Sequence, residues 1–192
     1  MGQIVLQYST STAWQSTIIR KMCHSAFSHV DIVMPDGNLL GASDQGNSKQ
    51  SIATTIEGNP QGVAIRIPDY QDFGIRRQAI YKTDLSEVIL EKLKGQLGKP
   101  FDSQAMHGMF SDIPYWELIA SWASPDCWFC SELIAWAFDE SGYWLDTGGL
   151  FWPKNRVSPN DLLGVLGQDN RWINRTTFPL PVPGLILGKY EK

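Results

Sequence analysis

The sequence lacks long apolar runs, concentrated positive charge and abundant cysteine, and each absence excludes a class of protein. It contains no run of about 18 apolar residues, so no membrane-spanning helix is predicted. Lysine and arginine never occur in runs longer than a pair, and the formal net charge is −4, so nucleic acid is not expected as a partner. Its three cysteines are an odd number and too few for a disulfide framework.

The size and composition of the chain are typical of one folded domain. Its 192 residues are 43% hydrophobic and 19% charged, which favours a globular protein with its own core. The first residues lack the basic start and apolar core of a secretory signal, and Met1 looks like a native start. We therefore expect a cytoplasmic protein, and a phage-encoded one is also consistent with this pattern.

One cysteine lies at the predicted start of a helix. Apolar residues at four-residue spacing, such as Leu133 and Ala137, predict a helix that begins near Cys130 and ends before Gly142. Unpaired backbone N–H groups and the peptide dipoles at a helix start stabilise an anion, so a cysteine there ionises readily. Cys130 is therefore a candidate nucleophile.

A histidine on a predicted strand is the candidate base. Polar and apolar residues alternate around His29, which indicates a half-buried strand that ends at a turn containing Asp36 and Gly37. A neutral imidazole can take the proton of a thiol, and the resulting imidazolium can later protonate the leaving group. The sequence therefore predicts a Cys130–His29 dyad.

These segments resemble the circularly permuted branch of the NlpC-type cysteine peptidases, the YiiX-like group. The similarity runs from Ser28 to Leu162 and is carried by Ser28-His29-Val30-Asp31-Ile32-Val33, Gly98-Lys99-Pro100-Phe101-Asp102, Trp128-Phe129-Cys130-Ser131-Glu132-Leu133 and Val157-Ser158-Pro159-Asn160-Asp161-Leu162. The resemblance implies an α+β, papain-like antiparallel sheet packed with helices, as one permuted domain over residues 1–192, with the histidine strand before the cysteine helix. It implies a hydrolase of amide bonds, with cell-wall peptides as candidate substrates, and a role for Asp102 in anchoring the approach to the cysteine helix.

The third member of the predicted site departs from the resembled pattern. The resemblance places a glutamate at position 41, where this chain has Gly41, which has no side chain to orient an imidazole. A two-residue hairpin loop at Asp36-Gly37 would instead place Asp44 opposite His29 on the same face, so Asp44 is the predicted third member. A bulge near the turn would move Asp44 to the other face, and then Asp31 or a backbone carbonyl would serve.

Several alternatives to an amide hydrolase stay open. Relatives in the resembled group handle acyl groups, which makes an acyltransferase or thioesterase an alternative, and loss of the third member would leave a binding module. Cys127 and Cys130 have the spacing of a thiol redox site, although the intervening Trp128-Phe129 is unlike the small or proline-containing pair of thioredoxins.

A tryptophan next to the cysteine is a candidate substrate contact, and the remaining cysteines and histidines are candidate metal ligands. Trp128 directly precedes the cysteine turn and is predicted to lie at the rim of the site, where its ring would contact a peptide or acyl substrate. Cys23, His24 and His107, together with the two later cysteines, match no common zinc spacing. No metal or cofactor is therefore predicted.

Overall fold

The chain folds around one antiparallel sheet. The computed structural model describes residues 2–11, 14–22, 25–44, 53–70, 73–103, 126–143, 157–167 and 172–178. Within them, seven strands form the sheet: β1 (Gly2–Ser11), β2 (His29–Val33), β3 (Leu39–Ala42), β4 (Ala53–Gly58), β5 (Val63–Pro68), β6 (Phe73–Thr83) and β7 (Trp172–Phe178). Their order across the sheet is β4-β5-β3-β2-β1-β6-β7, and every neighbouring pair is antiparallel.

Four helices lie in the same described ranges: α1 (Trp14–Met22), α2 (Ser86–Lys94), α3 (Cys130–Glu140) and α4 (Pro159–Gly167). The predicted cysteine helix is therefore present, and Gly142, with φ of +76°, lies just past its end, where glycine adopts the left-handed conformation without strain. Together the strands and helices make an α+β protein, as predicted. No described helix has the length and apolar character needed to cross a membrane.

The core lies between one face of the sheet and the helices. Ile4, Leu6 and Tyr8 lie on one face of β1, because successive side chains of a strand point to opposite faces. All three are almost completely buried. They share one hydrophobic cluster with Leu133 and Phe138 of α3. The cysteine helix is therefore fixed to the sheet by apolar packing along its length.

The hairpin between β2 and β3 differs from the predicted one. The N–H of Gly37 donates to the carbonyl of Met34 at 2.9 Å, and the N–H of Met34 donates to the carbonyl of Asn38 at 2.8 Å. The loop therefore has three residues, 35–37, and Gly37 takes a φ of +86° as in a bulged type I hairpin. This one-residue difference shifts the register, so that Ile32 pairs with Leu40.

Two strands were not predicted. β4 pairs with β5 and β7 pairs with β6, although no strand was predicted in either segment. The apolar residues 185–187 follow three prolines and predict a closing strand, but they lie outside the described residues. The spacing of Asp84 and Glu87 predicts a capping box, and this prediction is wrong, because α2 begins at Ser86 without a side-chain cap.

Candidate active site

His29 and Asp31 form an ion pair on β2. One residue separates them, so their side chains lie on the same face of the sheet, while Val30 and Ile32 point into the core. Nε2 of His29 lies 2.9 Å from Oδ2 of Asp31. The imidazole is 17% exposed and the carboxylate 4% exposed, so the ring reaches the surface while its partner is shielded from bulk water.

Cys130 is held in place by a short hydrogen-bonded ladder that precedes α3. The N–H of Trp128 donates to the carbonyl of Pro100 at 3.1 Å, and the N–H of Asp102 donates to the carbonyl of Trp128 at 3.0 Å. Phe129, the N-cap residue of α3, is extended, with φ of −100° and ψ of 167°. The backbone of Asp102 therefore anchors the approach to the cysteine helix, as the resemblance implied.

The sequence-predicted dyad is brought together. The side chain of Cys130, the first residue of α3, lies beside His29, the first residue of β2, where its charge and its hydrogen-bonding capacity act on the ring. Each nitrogen of an imidazolium carries one proton. Because Nε2 of His29 is paired with Asp31, we assign the other ring nitrogen, Nδ1, as the one that faces the sulfur of Cys130. Cys130 is only 6% exposed, so its sulfur lies at the base of the site rather than on an open surface.

The charges around His29 raise its pKa from 6.5 to about 10. Burial has the largest single effect and lowers the pKa, because it disfavours the charged ring. The negative charges of Asp31 and Cys130, and their hydrogen bonds to the ring, together outweigh burial. His29 is therefore an imidazolium at neutral pH, which is the form that stabilises a thiolate.

The structure does not place Asp44 opposite His29, so the prediction that Asp44 is the third member of the site is wrong. The three-residue loop moves Asp44 out of register with His29, and the side chain of Asp44 is exposed. The carboxylate at His29 is that of Asp31, the residue named for the case of a bulge at the turn. The signal was present in the sequence, since alternation along β2 puts residues 29 and 31 on one face.

Gly41 lies next to this carboxylate. A Cβ atom built at Gly41 would overlap Oδ1 of Asp31 and lie 3.2 Å from its Cγ. The space that a side chain at position 41 would fill is thus occupied by the carboxylate of Asp31 from the neighbouring strand. The missing glutamate does not leave His29 without an acidic partner.

Arg66 is a buried cation near the same carboxylate, and sequence reasoning missed it. It is 2% exposed and interacts electrostatically with Asp31. Burial lowers the pKa of Arg66, and the attraction of Asp31 partly offsets this effect. The sequence does mark Arg66, since a single charged residue in an otherwise apolar strand indicates a buried charge. The run is Val63-Ala64-Ile65-Arg66-Ile67.

A second acidic pair lies behind the cysteine turn. Glu132 is 5% and Asp102 is 4% exposed, and the N–H of Phe129 donates to Oε2 of Glu132 at 3.5 Å. Burial raises the pKa of Glu132 from 4.5 to about 8; the negative charge of Asp102 raises it further, and the bond from Phe129 lowers it. Glu132 is therefore mostly protonated at neutral pH, so the buried pair carries less negative charge than two carboxylates would.

Trp128 does not lie at an open rim, contrary to the prediction. Its side chain is 7% exposed and packs against Trp136, with ring centroids 5.1 Å apart. Its Nε1 donates to Oε1 of Gln96 at 3.1 Å, which satisfies the one polar atom of the indole. Trp128 supports the cysteine turn from within and offers little surface to a substrate.

The local backbone separates Cys127 from Cys130. Trp128 forms an isolated bridge with Phe101 and Phe129 is extended, so the two cysteines do not lie in one helical turn. They are not joined by a disulfide. This arrangement disfavours the redox alternative, whose two cysteines lie in one helical turn.

No described group of three or more His, Cys, Asp or Glu side chains is arranged to hold a metal ion. Cys23, His24 and His107, which were considered as metal ligands, lie outside the described residues.

The chain is not significantly similar to any family model, curated protein or solved structure.

Proposed function

We propose that the protein is a cysteine hydrolase in which Cys130 is the nucleophile, His29 the general acid and base, and Asp31 the residue that orients His29. One observation carries the proposal: Cys130 lies beside His29, whose Nε2 is 2.9 Å from Oδ2 of Asp31. A thiolate at a helix start, next to an imidazolium held by a carboxylate, is the arrangement that nucleophilic cysteine chemistry needs.

In the proposed reaction, the thiolate of Cys130 attacks the carbonyl carbon of an amide and forms a C–S bond. Backbone N–H groups at the start of α3 stabilise the negative oxygen of the tetrahedral intermediate. The C–N bond then breaks, and the proton of His29 passes to the leaving amine. Water, deprotonated by His29, attacks the thioester, releases the acid and restores the thiolate. No cofactor takes part.

The substrate class follows from the resemblance. A permuted papain-like fold of the NlpC type implies an amide substrate, and the favoured one is a peptide linkage of cell-wall type. An acyltransferase or thioesterase would use the same first step and differ in the bond that is cleaved or in the acceptor of the acyl group. The binding-module alternative depended on Gly41, and it is weakened because Asp31 supplies a carboxylate at that place.

The proposal is tested by alkylating the intact protein with iodoacetamide over a range of pH and mapping the modified peptides. We expect selective alkylation of Cys130 well below pH 8, because an unperturbed thiol ionises near about 8.5. His29→Ala should slow this reaction strongly. Equal reactivity of all three thiols, at the rate of free cysteine, would contradict the proposal.

Substrate classes are then compared directly. Cell-wall peptide fragments, a simple peptide amide and an acyl thioester are incubated with the wild type and with Cys130→Ser, and the released amine or thiol is quantified. Amine release by the wild type alone supports the hydrolase, whereas thiol release alone supports the thioesterase. Reactivity of Cys130 without turnover of any amide or thioester favours a binding module.

A further inference from the structure

We infer that Arg66 is a positioning residue of this site, whose buried positive charge holds the carboxylate of Asp31 in place beside His29. This inference rests on the proposed function and adds a fourth member from a strand that the Cys–His–Asp arrangement does not include. The two side chains meet at Gly41: Nη1 of Arg66 donates to its carbonyl, and Oδ1 of Asp31 fills the space where a Cβ atom of Gly41 would lie.

Within the part of the chain that the structure describes, the guanidinium of Arg66 donates to three backbone carbonyls. Nη1 donates to the carbonyl of Gly41 at 2.9 Å and to that of Ala64 at 3.4 Å, and Nη2 donates to the carbonyl of Gly62 at 2.7 Å. These three acceptors are neutral. They fix the direction of the side chain but leave its positive charge without a directly bonded anion.

An uncompensated charge in this position would be costly. Arg66 is 2% exposed, and taking a cation out of water needs a nearby anion unless the group loses its charge, which arginine does not do in proteins. Asp31 is the anion with which Arg66 interacts. Oδ1 of Asp31 and Nε of Arg66 are both buried without a hydrogen-bond partner, so the attraction between the two residues acts through space.

The other neighbours of Asp31 offer no competing charge. On β1 the residue opposite Asp31 is Gln7, which is neutral and completely buried, and on β3 the neighbour is Gly41. The charged groups that act on Asp31 and His29 are therefore Arg66 from β5, these two residues of β2 and Cys130 from α3, while Asp102 and Glu132 form the separate acidic pair behind the cysteine turn.

These four groups alternate in sign and sum to zero when the dyad is an ion pair. In the order Arg66, Asp31, His29 and Cys130, the charges are positive, negative, positive and negative. Removing the charge of Arg66 leaves a buried net negative charge, and the group that releases it most easily is the thiolate, by taking up a proton. Arg66 therefore favours the thiolate of Cys130 although it contacts neither the sulfur nor the substrate.

The test compares three substitutions of Arg66 by the pH profile of Cys130 alkylation. Arg66→Gln removes the charge but keeps a donor for the carbonyls, Arg66→Met removes both, and Arg66→Lys keeps the charge. We expect the midpoint of the profile to rise by about one pH unit in Arg66→Gln and Arg66→Met, a loss of about tenfold in rate on the acid side. In Arg66→Lys it should stay near the wild-type value. Lys82 is exposed and pairs with Gln3 near the start of β1, whereas Asp31 lies opposite Gln7. Lys82→Met therefore removes a positive charge elsewhere on the protein and is the control for net charge.

The outcomes separate this inference from the proposed function. A structural role for Arg66 alone would lower stability in all three variants and leave the midpoint of the folded protein unchanged, which would overturn the inference. If Arg66→Met does not fold, Arg66→Gln and Arg66→Lys decide the question. If His29→Ala and Asp31→Asn also leave the profile unchanged, the proposed function itself fails. A shift in those two variants without one in Arg66→Gln overturns only the role of Arg66.

Discussion

The carboxylate of Asp31 occupies the space that any side chain at position 41 would need. A Cβ atom at Gly41 would overlap Oδ1 of Asp31, so the glycine on β3 and the aspartate on β2 depend on each other. The ion pair between Asp31 and His29 is therefore possible only because its neighbour across the hairpin has no side chain.

Gly41→Ala is expected to disturb both the fold and the site. The added methyl group must displace the Asp31 carboxylate, and overpacking of this kind costs about 1–3 kcal/mol in the free energy of unfolding. Urea denaturation measures the loss. Gly164→Ala is a matched control, because a Cβ atom there meets nothing within 4 Å and lies within α4. The control should gain about 0.5–1 kcal/mol. Equal effects of the two substitutions would contradict this account of Gly41.

Asp31→Asn should lower the pKa of His29 from about 10 toward its ordinary value of 6.5. Burial lowers the pKa of His29, and the charge of Asp31 is the largest of the effects that raise it. An NMR titration of the imidazole follows the change. Asp44→Asn is the comparison, since Asp44 is exposed and lies outside the register of His29, and it should leave the titration unchanged. A larger effect of Asp44→Asn would restore the original third member.

The stability of the wild type should fall between pH 4.5 and about 8 because of Glu132. Its pKa is raised in the folded state, so the folded protein binds this proton more tightly than the unfolded chain. The stabilisation is fully present below pH 4.5 and is lost as the pH rises through about 8. Glu132→Gln, which cannot ionise, should flatten this part of a pH series of urea melts. The exposed residue Glu87 provides the control Glu87→Gln, which should keep the wild-type slope.

Cys127→Ser should leave the alkylation of Cys130 unchanged. Trp128 bridges to Phe101 and Phe129 is extended, so the two cysteines do not share the helical turn of a thiol redox site, and we expect no disulfide between them in the folded protein. Treatment with hydrogen peroxide, followed by peptide mapping, should find Cys130 oxidised without a bond to Cys127. A Cys127–Cys130 disulfide formed under native conditions would favour the redox alternative.

The residues of the dyad were predictable from local patterns. A helix start marks Cys130, and alternation along a strand marks His29 and, two residues on, Asp31. These patterns depend on neighbours in sequence, which a single sequence displays directly. Periods of two and of 3.6 residues predict single strands and helices for the same reason, whereas the α+β class was what the resemblance implied.

The third member was misassigned because hairpin register depends on one residue of loop length. Asp36-Gly37 fits a two-residue turn, but Pro35 also fits the second position of a type I turn, with Gly37 in the left-handed conformation after it. Arg66 was missed for a different reason. Its partners on other strands, the carbonyl of Gly41 and the charge of Asp31, come from non-local pairings that no local pattern contains.

The ladder at Asp102 and Trp128 attaches the turn before the cysteine helix to a distant part of the chain through backbone atoms alone. The N–H of Trp128 donates to Pro100, and the N–H of Asp102 donates to Trp128, so no side chain takes part in either bond. A change of the side chain at position 102 therefore leaves both bonds available, and the backbone can still hold Cys130 at the start of its helix.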